Sequence, residues 1–148
     1  MNASQFLQAH LATLAWRDGF SEGLAGMMAV AFTIRRRVEA GWWGGDWAQV
    51  LSHHKQYSAR IEPYTDEVPD PRIYSVQCLL QEIPGIFAGS TKDDVTVPKQ
   101  SVLARPAAGA LYYARLDLIS NPWFLDSISR KPNEHPRVAQ VGQTFFFA

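Results

Sequence analysis

The chain has no excess of basic residues, since 14 lysines and arginines balance 14 aspartates and glutamates. A protein that binds phosphate backbones normally carries surplus positive charge, so we expect no nucleic-acid partner. The single Cys78 cannot form an internal disulfide, and its apolar surroundings predict a small buried hydrophobe. No apolar run approaches the roughly 20 residues of a membrane span, so we expect no membrane insertion. The N-terminus lacks the pattern of a signal peptide, which predicts synthesis in the cytoplasm.

Apolar and aromatic side chains are plentiful. Apolar residues make up 47% and charged residues 19% of the 148 residues, which is the composition of a globular protein. We expect one domain over residues 1–148, because this length suffices to bury a core. Five tryptophans and five tyrosines either fill that core or line a groove that stacks flat, polar-rimmed ligands such as sugars or bases.

Two helices are predicted in the first third of the chain. Apolar spacing predicts the first over residues 4–17, with Ser4 as its N-cap and Gly19 as a left-handed C-cap. The second begins at Ser21 and runs to about residue 40. It is apolar nearly all round at its centre, so we expect it to be the central core helix.

Charged residues mark both ends of the second helix. Asp18 and Glu22 lie at the turn before it, where a carboxylate could serve chemistry or could simply suit the positive end of the helix dipole. Arg35, Arg36 and Arg37 lie in its last turns. Cations are ordinary at a helix C-terminus, so we favour that role for the arginines over a phosphate site.

The rest of the chain predicts shorter elements and a small β component. The β-prone segment Val138 to Phe147 is expected to pair with a strand at Leu111 to Ala114. We therefore predict a mainly α, α+β domain of several helices around the central helix. The other predicted elements are a short helix capped by Asp46, a helix from Asp70-Pro71 to Pro84, long surface loops over residues 85–109, and a short helix starting at Asn121-Pro122-Trp123.

Five short motifs, in order along nearly the whole chain, resemble the SleB-like, spore-cortex-lytic type of cell-wall hydrolases found in bacteria, phages and prophages. Any one of them is weak, but five in sequence are fairly specific. They are Trp16 to Glu22, resembling T-x-W-G-E-A-R-G-E; Gly26 to Val38, resembling E-G-x-x-A-V-A-x-V-I-x-N-R-V; Gln56-Tyr57-Ser58, resembling Q-F-S; Gly109 to Ala114 followed by Pro122-Trp123, resembling the G-A-x-x-Y region; and Val141 to Phe147, resembling I-G-x-H-x-F-Y.

The resemblance implies a lysozyme-like fold and cleavage of the bond between N-acetylmuramic acid and N-acetylglucosamine in peptidoglycan, commonly as a lytic transglycosylase. Asp18 falls at the position of the family's catalytic glutamate, and Glu22 matches its second glutamate. Such a reaction needs one carboxylic acid that is protonated near neutral pH. Aspartate is one methylene shorter than glutamate, and a misplacement of about 1 Å can cost about 100-fold in rate. Asp18 and Glu22 therefore both stay candidates for the proton donor.

The resemblance also implies a set of glycan-binding residues and no metal or cofactor. Thr144 stands where the family has a histidine, and Arg36 where it has an asparagine. A core role is an equal alternative for Trp123 and for one of the paired tyrosines, because alternate strand residues face opposite sides. The implied partner is the peptidoglycan glycan strand, reached by phage-type release or as a virion component. The alternative is a weakened or inactive relative that acts as a glycan-binding or virion structural module. The implied glycan-binding residues are Gln56, Tyr57, Ser58, Tyr112, Tyr113, Trp123 and Thr144.

Overall fold

Helices make up most of the protein, and a small antiparallel sheet lies near its C-terminus. The computed structural model describes residues 2–53, 68–95, 109–117 and 122–148. The predicted glycan-binding residues Gln56, Tyr57 and Ser58 lie outside these residues. In chain order the elements are α1 (Ala3–Gly19), a 3₁₀ turn (Phe20–Glu22), α2 (Gly23–Glu39), a second 3₁₀ turn (Trp42–Gly44), α3 (Trp47–His53), α4 (Tyr74–Ala88), β1 (Tyr112–Arg115), α5 (Pro122–Phe124) with a π-helical continuation (Leu125–Ser129), β2 (Arg137–Val141) and β3 (Thr144–Phe147).

The first helix starts earlier than its sequence predicts. The Asn2 side chain accepts a hydrogen bond from the Gln5 amide at 2.9 Å, and the Gln5 side chain accepts one from the Asn2 amide at 3.0 Å. This reciprocal pair is a capping box, which satisfies two amides that a helix start leaves unpaired. The prediction of Ser4 as N-cap is therefore wrong, because a better cap stands two residues earlier.

The junction between α1 and α2 also differs from the prediction. Gly19 has a φ of −118°, so it is not a left-handed cap. The chain passes instead through the 3₁₀ turn, and α2 begins at Gly23, whose φ is +71°. The predicted start at Ser21 is therefore two residues too early, since Ser21 lies in the middle of that turn. A glycine suits the left-handed backbone at this point because it has no Cβ to clash.

The central helix of the fold is α2, as its apolar pattern predicts. It packs against α1, α3 and α4. Met27, Val30 and Ile34 are fully buried along its length. Leu11 of α1 and Leu79 of α4 complete the same core.

Helix α4 continues past the residue at which it was expected to stop. Pro84 lies inside the helix, which runs to Ala88. Proline removes one backbone hydrogen bond and usually breaks a helix. Here Ile83 and Ile86, on either side of it, are both buried in the core, and their packing keeps the helix together.

The sheet has the strand order β1-β3-β2, all antiparallel, and confirms the predicted pairing of the C-terminal segment with the tyrosine strand. Tyr113 stands opposite Phe146, and both belong to the core built by the helices. Ala114 and Phe147 belong to a second cluster with Phe124 of α5. The sheet is thus covered on both faces, with β1 at one edge. Within the described residues, no helix has the length and apolar character needed to cross a bilayer.

Candidate functional site

Two carboxylates flank the tight junction at which α1 meets α2. Asp18 is the next-to-last residue of α1, and Glu22 is the last residue of the 3₁₀ turn. A Cβ on Gly19 would lie 2.6 Å from the backbone of Met27, and a Cβ on Gly26 would lie 2.8 Å from the Gly19 carbonyl. Only glycine leaves room for the two helices to approach this closely. The approach fixes the backbone positions from which both acidic side chains extend.

The Asp18 carboxylate meets the end of a tyrosine that is 95 residues away in sequence. The Tyr113 hydroxyl donates a hydrogen bond of 2.5 Å to Asp18 Oδ2. Burial raises the pKa of Tyr113 well above its usual value, and the negative charge of Asp18 adds to the effect, although Arg37 opposes it. The phenol therefore keeps its proton and acts as a donor. A hydrogen bond donated to a carboxylate favours the ionised form of that carboxylate.

Glu22 faces the hairpin that joins β2 and β3. No side-chain hydrogen bond caps α2 at this residue, and the Glu22 side chain instead reaches Gly142. A Cβ on Gly142 would overlap the Glu22 carboxylate, with Glu22 Cδ only 2.5 Å away. Gly142 has a φ of +58°, so the turn needs glycine for its backbone conformation.

A cation lies near Glu22 at the end of β1. Arg115 donates hydrogen bonds to Asp117 at 2.6 Å and to Gln143 at 2.8 Å. The bond to Asp117 raises the pKa of Arg115, and the negative charge of Glu22 adds to it. Arg115 thus places a positive charge close to the Glu22 side chain.

Arg37 lies in the last turn of α2, as predicted, but its side chain is buried in the core, which the prediction of an ordinary helix-end cation did not include. It is 1% exposed, and its Nε donates a hydrogen bond of 2.8 Å to the Leu111 carbonyl. Its guanidinium lies 5.1 Å from the ring centroid of Trp42 and 5.5 Å from that of Tyr113. The other two arginines form ion pairs, Arg35 with Glu39 and Arg36 with Asp93.

An aromatic groove of about 230 Å³ lies at the β1 edge of the sheet, lined by Trp42, Trp43, Tyr112 and Trp123. Tyr112 packs against Trp42, with ring centroids 5.3 Å apart. Tyr112 and Tyr113 are neighbours on β1 and point to opposite sides, so one lines the groove and the other reaches Asp18. The Arg37 guanidinium lies against Trp42 of the groove and also against Tyr113, which contacts Asp18.

The predicted site residues thus fall into separate places. Asp18 and Tyr113 are in direct contact, and Tyr112 and Trp123 line the groove. Trp123 is 48% exposed, so it is not a core residue, whereas Tyr113 is buried. Thr144 is 3% exposed, and no described residue hydrogen-bonds its buried hydroxyl.

Sequence reasoning missed Trp42 and Trp43 as groove residues, and it missed Arg115 beside Glu22. The two tryptophans carried a signal, because paired aromatics next to three glycines seldom serve a buried core alone. Nothing in the sequence pointed to Arg115, since its position beside Glu22 depends on how the strands pair.

Comparisons with known proteins give no match: no family model, no curated protein and no solved structure is similar to this chain at a significant level.

Proposed function

We propose that this chain binds the glycan strands of peptidoglycan and cleaves the bond between N-acetylmuramic acid and N-acetylglucosamine. The observation that carries the proposal is the pair of carboxylates at the α1–α2 junction, where Asp18 contacts Tyr113 of β1. The aromatic groove lies on the other side of the same strand. The mainly helical fold, with Asp18 between a helix end and a small sheet, supports the proposal. The motif resemblance points to the same chemistry and to a phage or prophage lytic system.

The surroundings of the two acids suggest different roles for them. The Tyr113 hydroxyl donates to Asp18, which favours a carboxylate there and not a proton donor. Asp18 would then stabilise the positive charge that develops on the sugar ring in the transition state. Glu22 has the longer side chain and would protonate the leaving oxygen.

A second candidate function is glycan binding without cleavage. The observation that favours it is the aromatic groove at the β1 edge, because uncharged aromatic rings can hold a sugar without any proton transfer. In this alternative both carboxylates only accept hydrogen bonds from sugar hydroxyl or amide groups. The two candidates share a ligand and differ in whether a bond breaks.

Purified peptidoglycan tests both candidates in one experiment. Release of soluble muropeptides is measured for the wild type, Asp18→Asn and Glu22→Gln, with Glu134→Gln in an exposed loop as the matched control. We expect Glu22→Gln to lower the release about 100-fold or more, as expected for a general acid, and Asp18→Asn to lower it less. Mass spectrometry of the products then separates a transglycosylase, which leaves an anhydro ring, from a hydrolase.

Co-sedimentation with intact sacculi completes the test. A wild-type protein that sediments with sacculi but releases nothing would reject cleavage and support the binding module. A protein that neither sediments nor releases muropeptides would reject both candidates. Equal loss of release in Glu134→Gln and Glu22→Gln would reject the role given to Glu22.

A further inference from the structure

The turn that supplies two of the groove's four aromatic rings has an unusual backbone. Residues 41–45 have the sequence Gly-Trp-Trp-Gly-Gly, and we call them the tryptophan turn. Gly41, Gly44 and Gly45 have φ values of +78°, +93° and +74°, and Trp43 lies between them at +50°. Among the described residues, Trp43 is the one non-glycine residue with a positive φ.

A bulky residue in a left-handed conformation costs about 1–3 kcal/mol and persists only where its surroundings hold it. Glycine at this position would avoid the cost entirely. Trp43 stacks on His53, with ring centroids 4.9 Å apart and ring planes 15° apart, and it meets Trp42 edge-on at 5.5 Å. The strained residue is therefore held in a fixed orientation against the groove.

We propose that the tryptophan turn, with Tyr112 and Trp123, forms a subsite that stacks one neutral pyranose ring of an N-acetylated glycan. This inference rests on the proposed function and adds to it a binding residue, Trp43, that the motif resemblance does not assign. The sugar's apolar face lies against the indole faces. Its hydroxyl and amide groups then point toward the open side of the groove.

Size and charge both favour this ligand. The groove measures about 230 Å³, below the roughly 300 Å³ at which pockets for drug-sized molecules begin, so it suits a single ring. All four described lining residues are uncharged, so none of them offers a phosphate group an ion pair.

An aromatic cage for a quaternary ammonium ion is the rival interpretation, since such ions bind to aromatic faces. Two observations weigh against it. The buried Arg37 guanidinium already lies 5.1 Å from the Trp42 ring, and its positive charge repels a second cation. None of the four described lining residues is a carboxylate that would attract one. A neutral ligand is therefore favoured.

The test follows the indole N–H signals of the full-length protein, labelled with ¹⁵N, during titration with tetra-N-acetylchitotetraose. The chain has five tryptophans, so each signal is assigned by single replacement. We expect saturable shifts for Trp42, Trp43 and Trp123. Trp47 should not shift, because it stacks on Phe87, at 4.7 Å between centroids, and lies outside the groove.

Trp43→Gly removes the ring and relieves the backbone strain together, so the variant should fold. We expect its affinity for the chitotetraose to fall about tenfold, the effect of losing one aromatic stacking contact. Trp47→Phe should bind as the wild type does. If Trp43→Gly does not fold, Trp123→Ala provides the second variant, because Trp123 is exposed and lies on a short helix.

Each outcome separates this inference from the proposed function. Groove signals that do not move with the chitotetraose, in a protein that still releases muropeptides, would overturn the subsite and leave cleavage standing. Groove signals that move with it, in a protein without activity, would support the subsite and reject cleavage. Shifts caused by choline or adenosine monophosphate, but not by the glycan, would overturn the choice of a sugar.

Discussion

The hydrogen bond between Tyr113 and Asp18 offers the sharpest test of how the site is held together. Tyr113→Phe removes one oxygen and leaves the ring packed against Phe146. A hydrogen bond to a charged group contributes about 1.5–3 kcal/mol. The Tyr113 side chain is 6% exposed, so water cannot easily replace the lost donor. We therefore expect the variant to be less stable by about 2 kcal/mol, or about 4–8 °C in Tm for a chain of this size.

The pH dependence of that difference identifies its cause. The pKa of Tyr113 is raised well above its usual value, because the side chain is buried and because Asp18 is negatively charged. The unfolded tyrosine ionises near pH 10 while the folded one keeps its proton. The folded state then binds more protons than the unfolded state, so wild-type stability falls as the pH rises above about 10. Tyr113→Phe lacks this group, and the gap between the two proteins should narrow by up to ~1.4 kcal/mol per pH unit.

Urea unfolding at a series of pH values between about 8 and 11 measures both effects. Tyr74→Phe is the matched control, since Tyr74 is 79% exposed and its replacement should change stability by less than about 0.5 kcal/mol. A gap between wild type and Tyr113→Phe that stays constant across this range would refute the reasoning. So would a Tyr113→Phe protein as stable as the wild type at the lower pH.

Two further predictions concern the residues around this contact. Gly19→Ala should lower the free energy of unfolding in urea by more than about 1 kcal/mol, because its Cβ would lie 2.6 Å from the backbone of Met27, which cannot move aside as a side chain can. A Gly19→Ala protein as stable as the wild type would show that α1 and α2 do not approach this closely. Arg36→Met should lower the free energy of unfolding by about 3 kcal/mol, because the side chain of its partner Asp93 is only 9% exposed. Arg35→Met should change it by less than about 1 kcal/mol, because the side chain of its partner Glu39 is 49% exposed. A lower Tm for Arg35→Met than for Arg36→Met would refute the assignment.

Local patterns in the sequence predicted the elements that depend on neighbouring residues. The apolar spacing of the second helix identified α2 as the central helix, and the aromatic run at the C-terminus predicted a strand that pairs with Tyr112. The acidic turn between α1 and α2 was equally visible, since glycines and carboxylates alternate there. The sequence did not show that this turn lies against the sheet, because the contact between Asp18 and Tyr113 joins residues 95 positions apart.

The arginines show the limit of reading charge from sequence. Three consecutive cations at the end of α2 suggest one shared role, but helical geometry turns each by about 100° from the last. Arg37 consequently points into the core, where it donates a hydrogen bond to a carbonyl and packs against two aromatic rings. Arg36 meets a nearly buried aspartate, and Arg35 stays at the surface with Glu39. Sequence gives the spacing of these residues but not the partners that decide what each one does.

The two parts of the site depend on the register of a single strand. Tyr112 lines the groove and Tyr113 holds Asp18 because neighbouring residues on β1 point in opposite directions. A slip of one residue would exchange them, placing the phenol that now reaches Asp18 in the groove. Pairing with β3 fixes this register on one side, and Arg37 holds the Leu111 carbonyl just before the strand begins. The buried Arg37 thus helps to hold both Tyr112, which lines the groove, and Tyr113, which contacts Asp18. This role gives a physical reason for a buried charge at this point of α2.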